Sequence, residues 1–203
     1  MTRNTRRVGR PSSTSKEQIL AVALQLAQQQ DLAALSLRQL AKELGISPTS
    51  LYRYFENKQQ LLTAIGESVL SVDVSALPAG LSHAQRLEKL LDQLRQQVLA
   101  FPGLLPQFNN SLPAEAMVAT IAALAEPIKA MQVEDSLAVR HAQSLLWMTL
   151  GFALFESSSS QASISVQFLD LTAQLQSTSQ HLELENHERL WRELVERNIR
   201  GIC

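Results

Sequence analysis

Thr49, Ser50 and Arg53 lie in one five-residue stretch directly after Ser47-Pro48, and their side chains are suited to reading a double helix through its groove. Arginine can donate two parallel hydrogen bonds to guanine, the threonine methyl suits the thymine methyl, and serine can donate or accept. Lys58 follows shortly after, and an ammonium at the start of a helix clamps a phosphate. Such contacts require a short helix held outward on a firm base. The neighbouring residues must supply that base.

Capping residues predict how they do so. Ser36 and Gln39 have the spacing of a capping box, in which serine accepts from a first-turn N–H and glutamine reaches back to the cap. Leu37, Leu40, Ala41 and Leu44 then recur at i, i+3, i+4 and i+7, so one stripe is apolar and Arg38, Lys42 and Glu43 face outward. Gly45 ends this helix, because glycine takes the left-handed conformation at no steric cost. Ser47 as N-cap and Pro48 at the first helical position open the next. Only Gly45 to Ser47 separate the two, which is the spacing of a helix-turn-helix whose second helix enters the major groove. Asn57 and Gln60 open a third helix with Leu61, Leu62 and Ile65 on its inner side. Leu51 and Phe55, four apart, are expected in the core, with Tyr54 packing beside them.

The run Gly45-Ile46-Ser47, Leu51-Tyr52, Tyr54-Phe55, Asn57-Lys58 and Leu61-Leu62 resembles, in order and spacing, the DNA-binding domain of TetR/AcrR-type transcriptional regulators. The resemblance covers roughly Ser15 to Val72. Asp31 departs from it, standing where such proteins usually carry glycine; aspartate tolerates that conformation better than most residues. By this resemblance Tyr52, Lys58 and Ser36 contact phosphates and Arg38 a phosphate or base. With Ser47, Pro48, Thr49, Ser50 and Arg53 they form the expected DNA-binding face.

Charge is unevenly placed. Residues 1–60 hold nine Lys or Arg against four Asp or Glu, a net of +5, while residues 61–203 hold nine against fifteen, a net of −6. The overall −1 thus combines a basic head with an acidic body, and only the head suits a phosphate backbone. Residues 1–14 are expected to form a flexible arm. Its Arg6, Arg7 and Arg10, together with Arg3, have no apolar periodicity and can settle along a minor groove or on phosphates. The alternative is a solvated tail.

Residues 15–72 are therefore expected to form the helix-turn-helix domain, and residues 80–203 a larger all-α domain. Ser82 and Gln85 form a second capping-box pair, opening a helix with Leu87, Leu90, Leu91, Leu94 and Val98. Ala114 to Met131 carries an alanine-rich helical pattern containing Pro127, and Ser136 to Glu156 is the most apolar helix. Ile164, Phe168, Leu171 and Leu175 mark another, and Leu190, Leu194, Val195 and Ile199 a last one. The resemblance implies a homodimer in which two late helices build a four-helix bundle, and an effector cavity among the middle helices. Ala138, Ala142, Thr149 and Ala153, on one side of a helix, with Phe168, Leu171 and Leu175, are the expected dimer contacts. Phe101, Phe108, Met117, Met131, Met148, Phe152 and Phe155 are the expected apolar cavity lining, with Asn109, His141 and Trp147 as polar handles. Each of these also has a reading as plain core.

Other classes find little support. There is no nucleophile elbow or phosphate-binding glycine loop among the seven glycines, so an enzyme is not expected. The four histidines have no i, i+4 partner and the one cysteine is residue 203, so neither a metal site nor a cofactor is expected. The longest apolar run, Leu145 to Phe155, is too short to span a membrane, and residues 1–10 lack the apolar segment of a signal peptide. The expected protein is cytoplasmic, binds double-stranded operator DNA as a homodimer and responds to a small apolar or amphipathic effector, most simply as a repressor. A transcriptional activator of the same fold, or a protein-interaction module that kept the helix-turn-helix shape without reading DNA, are the alternatives.

Overall fold

The structure is a computed structural model that describes residues 14–29, 32–101, 103–108, 113–159 and 186–202. Within them every regular element is helical: α1 Lys16–Gln29, α2 Leu37–Glu43, α3 Pro48–Tyr52, α4 Lys58–Leu70, α5 His83–Leu99, α6 Ala114–Lys129, α7 Asp135–Ser159 and α8 His187–Arg200. The expected Ile164–Leu175 helix, the arm residues Arg6, Arg7 and Arg10, and Asp31 and Asn109 lie outside the described residues.

In the head, α1 packs on α2 and α4, and α2 packs on α3. These four helices gain little from backbone propensity, since helices this short are marginal alone. They hold because Ile19, Ala23, Leu40, Ala41, Leu51, Phe55, Leu61 and Ile65 are all almost completely buried together. Leu51 is the anchor of the five-residue α3, and truncating a buried leucine of this kind costs about 2–5 kcal/mol. Tyr54 sits at the surface, where its hydroxyl donates to the Thr14 carbonyl at 2.5 Å. It therefore secures the chain just ahead of α1 rather than filling the core.

The body packs α5, α6 and α7 against one another, and α8 against α5 and α7. Ser82 completes its capping box with Gln85, whose side-chain oxygen accepts from Ser82 N at 3.0 Å. α7 begins at Asp135, one residue ahead of the expected start, because the Glu134 carboxylate accepts from Ser136 N, Leu137 N and the Ser136 hydroxyl. These hydrogen bonds, the Ser136 hydroxyl first, hold the Glu134 carboxyl below its ordinary range. α4 is the joint of the molecule, packing on α1 in the head and on α5 and α6 in the body.

Candidate nucleic-acid interface

The turn between α2 and α3 is built from backbone hydrogen bonds that only one residue type closes without strain. Ile46 N donates to Ala41 O at 3.0 Å and Gly45 N to Lys42 O at 3.1 Å, a Schellman ending with Gly45 at φ +65°. Ser47 then caps α3, its hydroxyl accepting from Ser50 N at 3.1 Å, with Pro48 at the helix start. Ser36 caps α2 by accepting from Gln39 N at 3.2 Å, and Asn57 caps α4 by accepting from Gln60 N at 2.9 Å. A further cap, not among the sequence expectations, precedes them. Ser15 and Gln18 exchange both hydrogen bonds at the start of α1, and the Ser-x-x-Gln spacing was the available signal.

This framework leaves Ser36, Arg38, Pro48, Thr49, Tyr52 and Arg53 exposed, with Tyr52 46% accessible despite its size. Arg53 is the C-cap of α3 and remains exposed there. Ser50 differs from the sequence expectation. It is half-buried and its hydroxyl lies 2.8 Å from that of Ser47, so it is engaged in the cap. Lys58 is half-buried as well, and its Nζ donates to the Ala33 carbonyl at 2.6 Å. An ammonium has three donors, so this bond fixes the side chain while leaving two for an anion.

The expected dimer contacts on α7 require correction. Ala138, Ala142, Thr149 and Ala153 are each 0% exposed within the chain, because this side of α7 is the one packed on α5 and α6. Their small size serves close helix approach inside the body. The open side of α7 carries Val139, Trp147 and Leu154, spaced eight and seven apart, with Phe155 beside them. Trp147 is 57% exposed and Phe155 41%, so neither lines an interior cavity of this chain. Phe101 is buried and Met117, Met131, His141, Met148 and Phe152 are half-buried. Phe152 packs on Trp191, ring centroids 5.3 Å apart, instead of facing open space. Phe108 falls in a short 3-10 turn, Leu105–Phe108.

A polar centre that sequence spacing could not reveal lies where α5, α7 and α8 meet. Arg95, 3% exposed, donates Nε and Nη2 to Glu156 at 2.9 and 2.8 Å, and Nη1 to Glu188 at 2.8 Å. Its guanidinium also lies 5.3 Å from the Trp191 ring and 5.7 Å from that of Phe152. The indole N–H donates to Asp92 at 2.7 Å. The partners are 61 and 93 residues from Arg95, beyond any local periodicity.

Comparison with known proteins agrees with this geometry. Residues 19–65 match the family model described as bacterial regulatory proteins, tetR family. An HTH-type transcriptional repressor of Mycobacterium tuberculosis is 42% identical over 66 residues, 32% of this chain and 25% of that protein. The nucleoid occlusion factor SlmA of Haemophilus influenzae is 26% identical over 104 residues, 51% of this chain and 48% of that protein. The chain thus spans between a quarter and half of the length of these curated relatives. Among solved structures, ActR of Streptomyces coelicolor, in complex with (S)-DNPA, is 24% identical with a TM-score of 0.73, covering 94% of this chain and 98% of that one. BioQ with its double-stranded DNA operator is 25% identical with a TM-score of 0.58, covering 76% and 94%. The likeness to ActR runs through head and body alike and establishes the fold.

Proposed function

We propose that this TetR-family chain is a DNA-binding transcriptional regulator that acts as a homodimer on a palindromic operator, most simply as a repressor relieved by a small apolar or amphipathic effector. The observation that carries the reading is the five-residue α3, capped on the Schellman turn and anchored by Leu51, with Thr49, Tyr52 and Arg53 outward. Thr49 and Arg53 are the base-reading residues. Tyr52, Lys58, Ser36 and Arg38 hold phosphates, and Arg6, Arg7 and Arg10 extend the contact as an arm. Ser47, Pro48 and Ser50 position the reading helix.

A single helix of this length reads few bases, and two on a two-fold axis read a palindrome. The open face of α7, centred on Trp147, is the surface we assign to the second copy. The named relative that is a transcriptional repressor supports that direction of control, and the complexes of BioQ with DNA and of ActR with a small molecule support the two ligand classes.

Selection from random double-stranded DNA by the full chain, followed by titration at two salt concentrations, tests the reading. The expected result is a palindromic consensus whose binding weakens steeply with salt, each phosphate contact adding about −0.9 to the log–log slope. Weak binding without sequence enrichment would favour the interaction-module alternative.

A further inference from the structure

α4 joins head to body, and its last carbonyl is held in an unusual way. The helix ends at Leu70, and Ser71 turns away in extended conformation. The Leu70 carbonyl receives its hydrogen bond from the body, where the Thr120 hydroxyl of α6 lies 2.6 Å away. Between described residues this is the one side-chain hydrogen bond that crosses from head to body. Thr120 is 1% exposed, so water does not substitute for it. The same hydroxyl lies 2.8 Å from the Ala116 carbonyl, one turn back along α6.

A hydroxyl carries one proton, and two buried acceptors compete for it. Ala116 O already serves the α6 backbone ladder as the i−4 acceptor of Thr120 N. The Leu70 carbonyl, at the end of its own helix with no following turn to supply an N–H, has the greater need of a donor. If α4 shifts, the proton turns to Ala116 and the hydroxyl is never left unsatisfied. Space for such a shift is present. A cavity of about 310 Å³ opens beside the joint, between Glu67, Ser71 and Val72 on one side and Ala116, Ala119 and Ala123 on the other.

We propose that Thr120 is the positioning residue that sets the angle of the DNA-reading head on the body, its single proton passing between the Leu70 and Ala116 carbonyls as α4 moves. This deepens the regulator reading and rests on it. With the bond to Leu70 made, the two heads of a dimer keep a narrow range of separations. With it lost, α4 swings more freely and the range widens. The consequence is legible in DNA spacing, because head separation fixes the distance between half-sites.

The test uses the full-length chain and its selected operator, together with versions whose half-sites are moved apart or together by one base pair. Thr120→Val keeps the shape and removes the proton; Thr120→Ser keeps the proton and removes the methyl. The expected result is that the affinity penalty for altered spacing shrinks about threefold or more in Thr120→Val, as loss of one hydrogen bond allows, and stays as in the wild type in Thr120→Ser. If Thr120→Val does not fold, Thr120→Ala takes its place, with the same expectation. A spacing penalty unchanged in the folded hydroxyl-free variant overturns the proposal, even where its melting temperature falls. So does loss of discrimination in Thr120→Ser, which would assign the effect to methyl packing. Absence of specific binding by the wild-type chain would instead remove the regulator reading, and the role of Thr120 with it.

Discussion

The guanidinium of Arg95 and the carboxylate of Glu156 meet face to face in a two-point pair, at 2.9 and 2.8 Å, in an interior where Arg95 is almost inaccessible to water. A buried ion pair contributes little net stability, because desolvation offsets most of its attraction, yet removing one member alone strands the other. Arg95→Ala is therefore expected to lower unfolding stability by about 3–5 kcal/mol, and Arg95→Met with Glu156→Met to recover most of that loss. Denaturant unfolding of the single and double variants checks both. Equal losses in the two would contradict the account.

Glu188 gives the same centre a pH dependence. Its carboxyl is held below the ordinary value of 4.5, first by the hydrogen bond from Arg95 and then by Arg192. A carboxyl depressed in the fold contributes stability that is present above its unfolded pKa and lost as pH falls through the folded one. Docking of α8 should therefore weaken as the pH is lowered beneath 4.5, followed through the fluorescence of Trp191. In Glu188→Gln that part of the acid dependence should vanish.

At the reading head, capping and reading are expected to separate. Ser47→Ala removes the acceptor for Ser50 N and should cost about 1 kcal/mol of stability, with DNA affinity falling for every sequence. Thr49→Ala, exposed and uninvolved in a cap, should leave stability unchanged and alter base preference. Tyr52→Ala should weaken all sequences alike. Parallel selection experiments on the three variants distinguish these outcomes, and an altered consensus from Tyr52→Ala would refute the division.

On α7 the two sides should respond oppositely. Trp147→Arg, on the open face, is expected to dissociate the proposed dimer, as loss of a central aromatic anchor costs about 2 kcal/mol or more, while leaving the fold intact. Ala142→Leu, on the face buried against α5 and α6, should cost about 1–3 kcal/mol of stability by overpacking with association preserved. Sedimentation and thermal unfolding of both variants provide the check.

What could be read in advance followed the range of the interactions. The caps at Ser36, Ser47, Asn57 and Ser82 are local, each involving residues three apart, and each forms where the spacing places it. Gly45 terminates α2 for the same reason. The buried side of α7 is not assignable from sequence, because small residues permit close approach to any neighbour, and periodicity does not say whether that neighbour belongs to the same chain. Trp147, expected from sequence as a polar handle in a cavity, lies on the face opposite to them. Arg95 looks in the sequence like one charge on an amphipathic helix, since its two carboxylates come from distant helices.

The bond from Lys58 to the Ala33 carbonyl bears on how firmly the head would hold the proposed DNA partner. A lysine free in solution samples many rotamers, and confining it on a phosphate costs about 1.5–2 kcal/mol of conformational entropy. Here much of that confinement is complete once the head has folded. The cation stands ready at one place, so an approaching backbone meets a fixed charge and not a diffuse cloud. The proposed Lys58 contact is thus preorganised, and its loss should register more in the lifetime of the complex than in the rate of encounter, which the long-range field of the basic head governs.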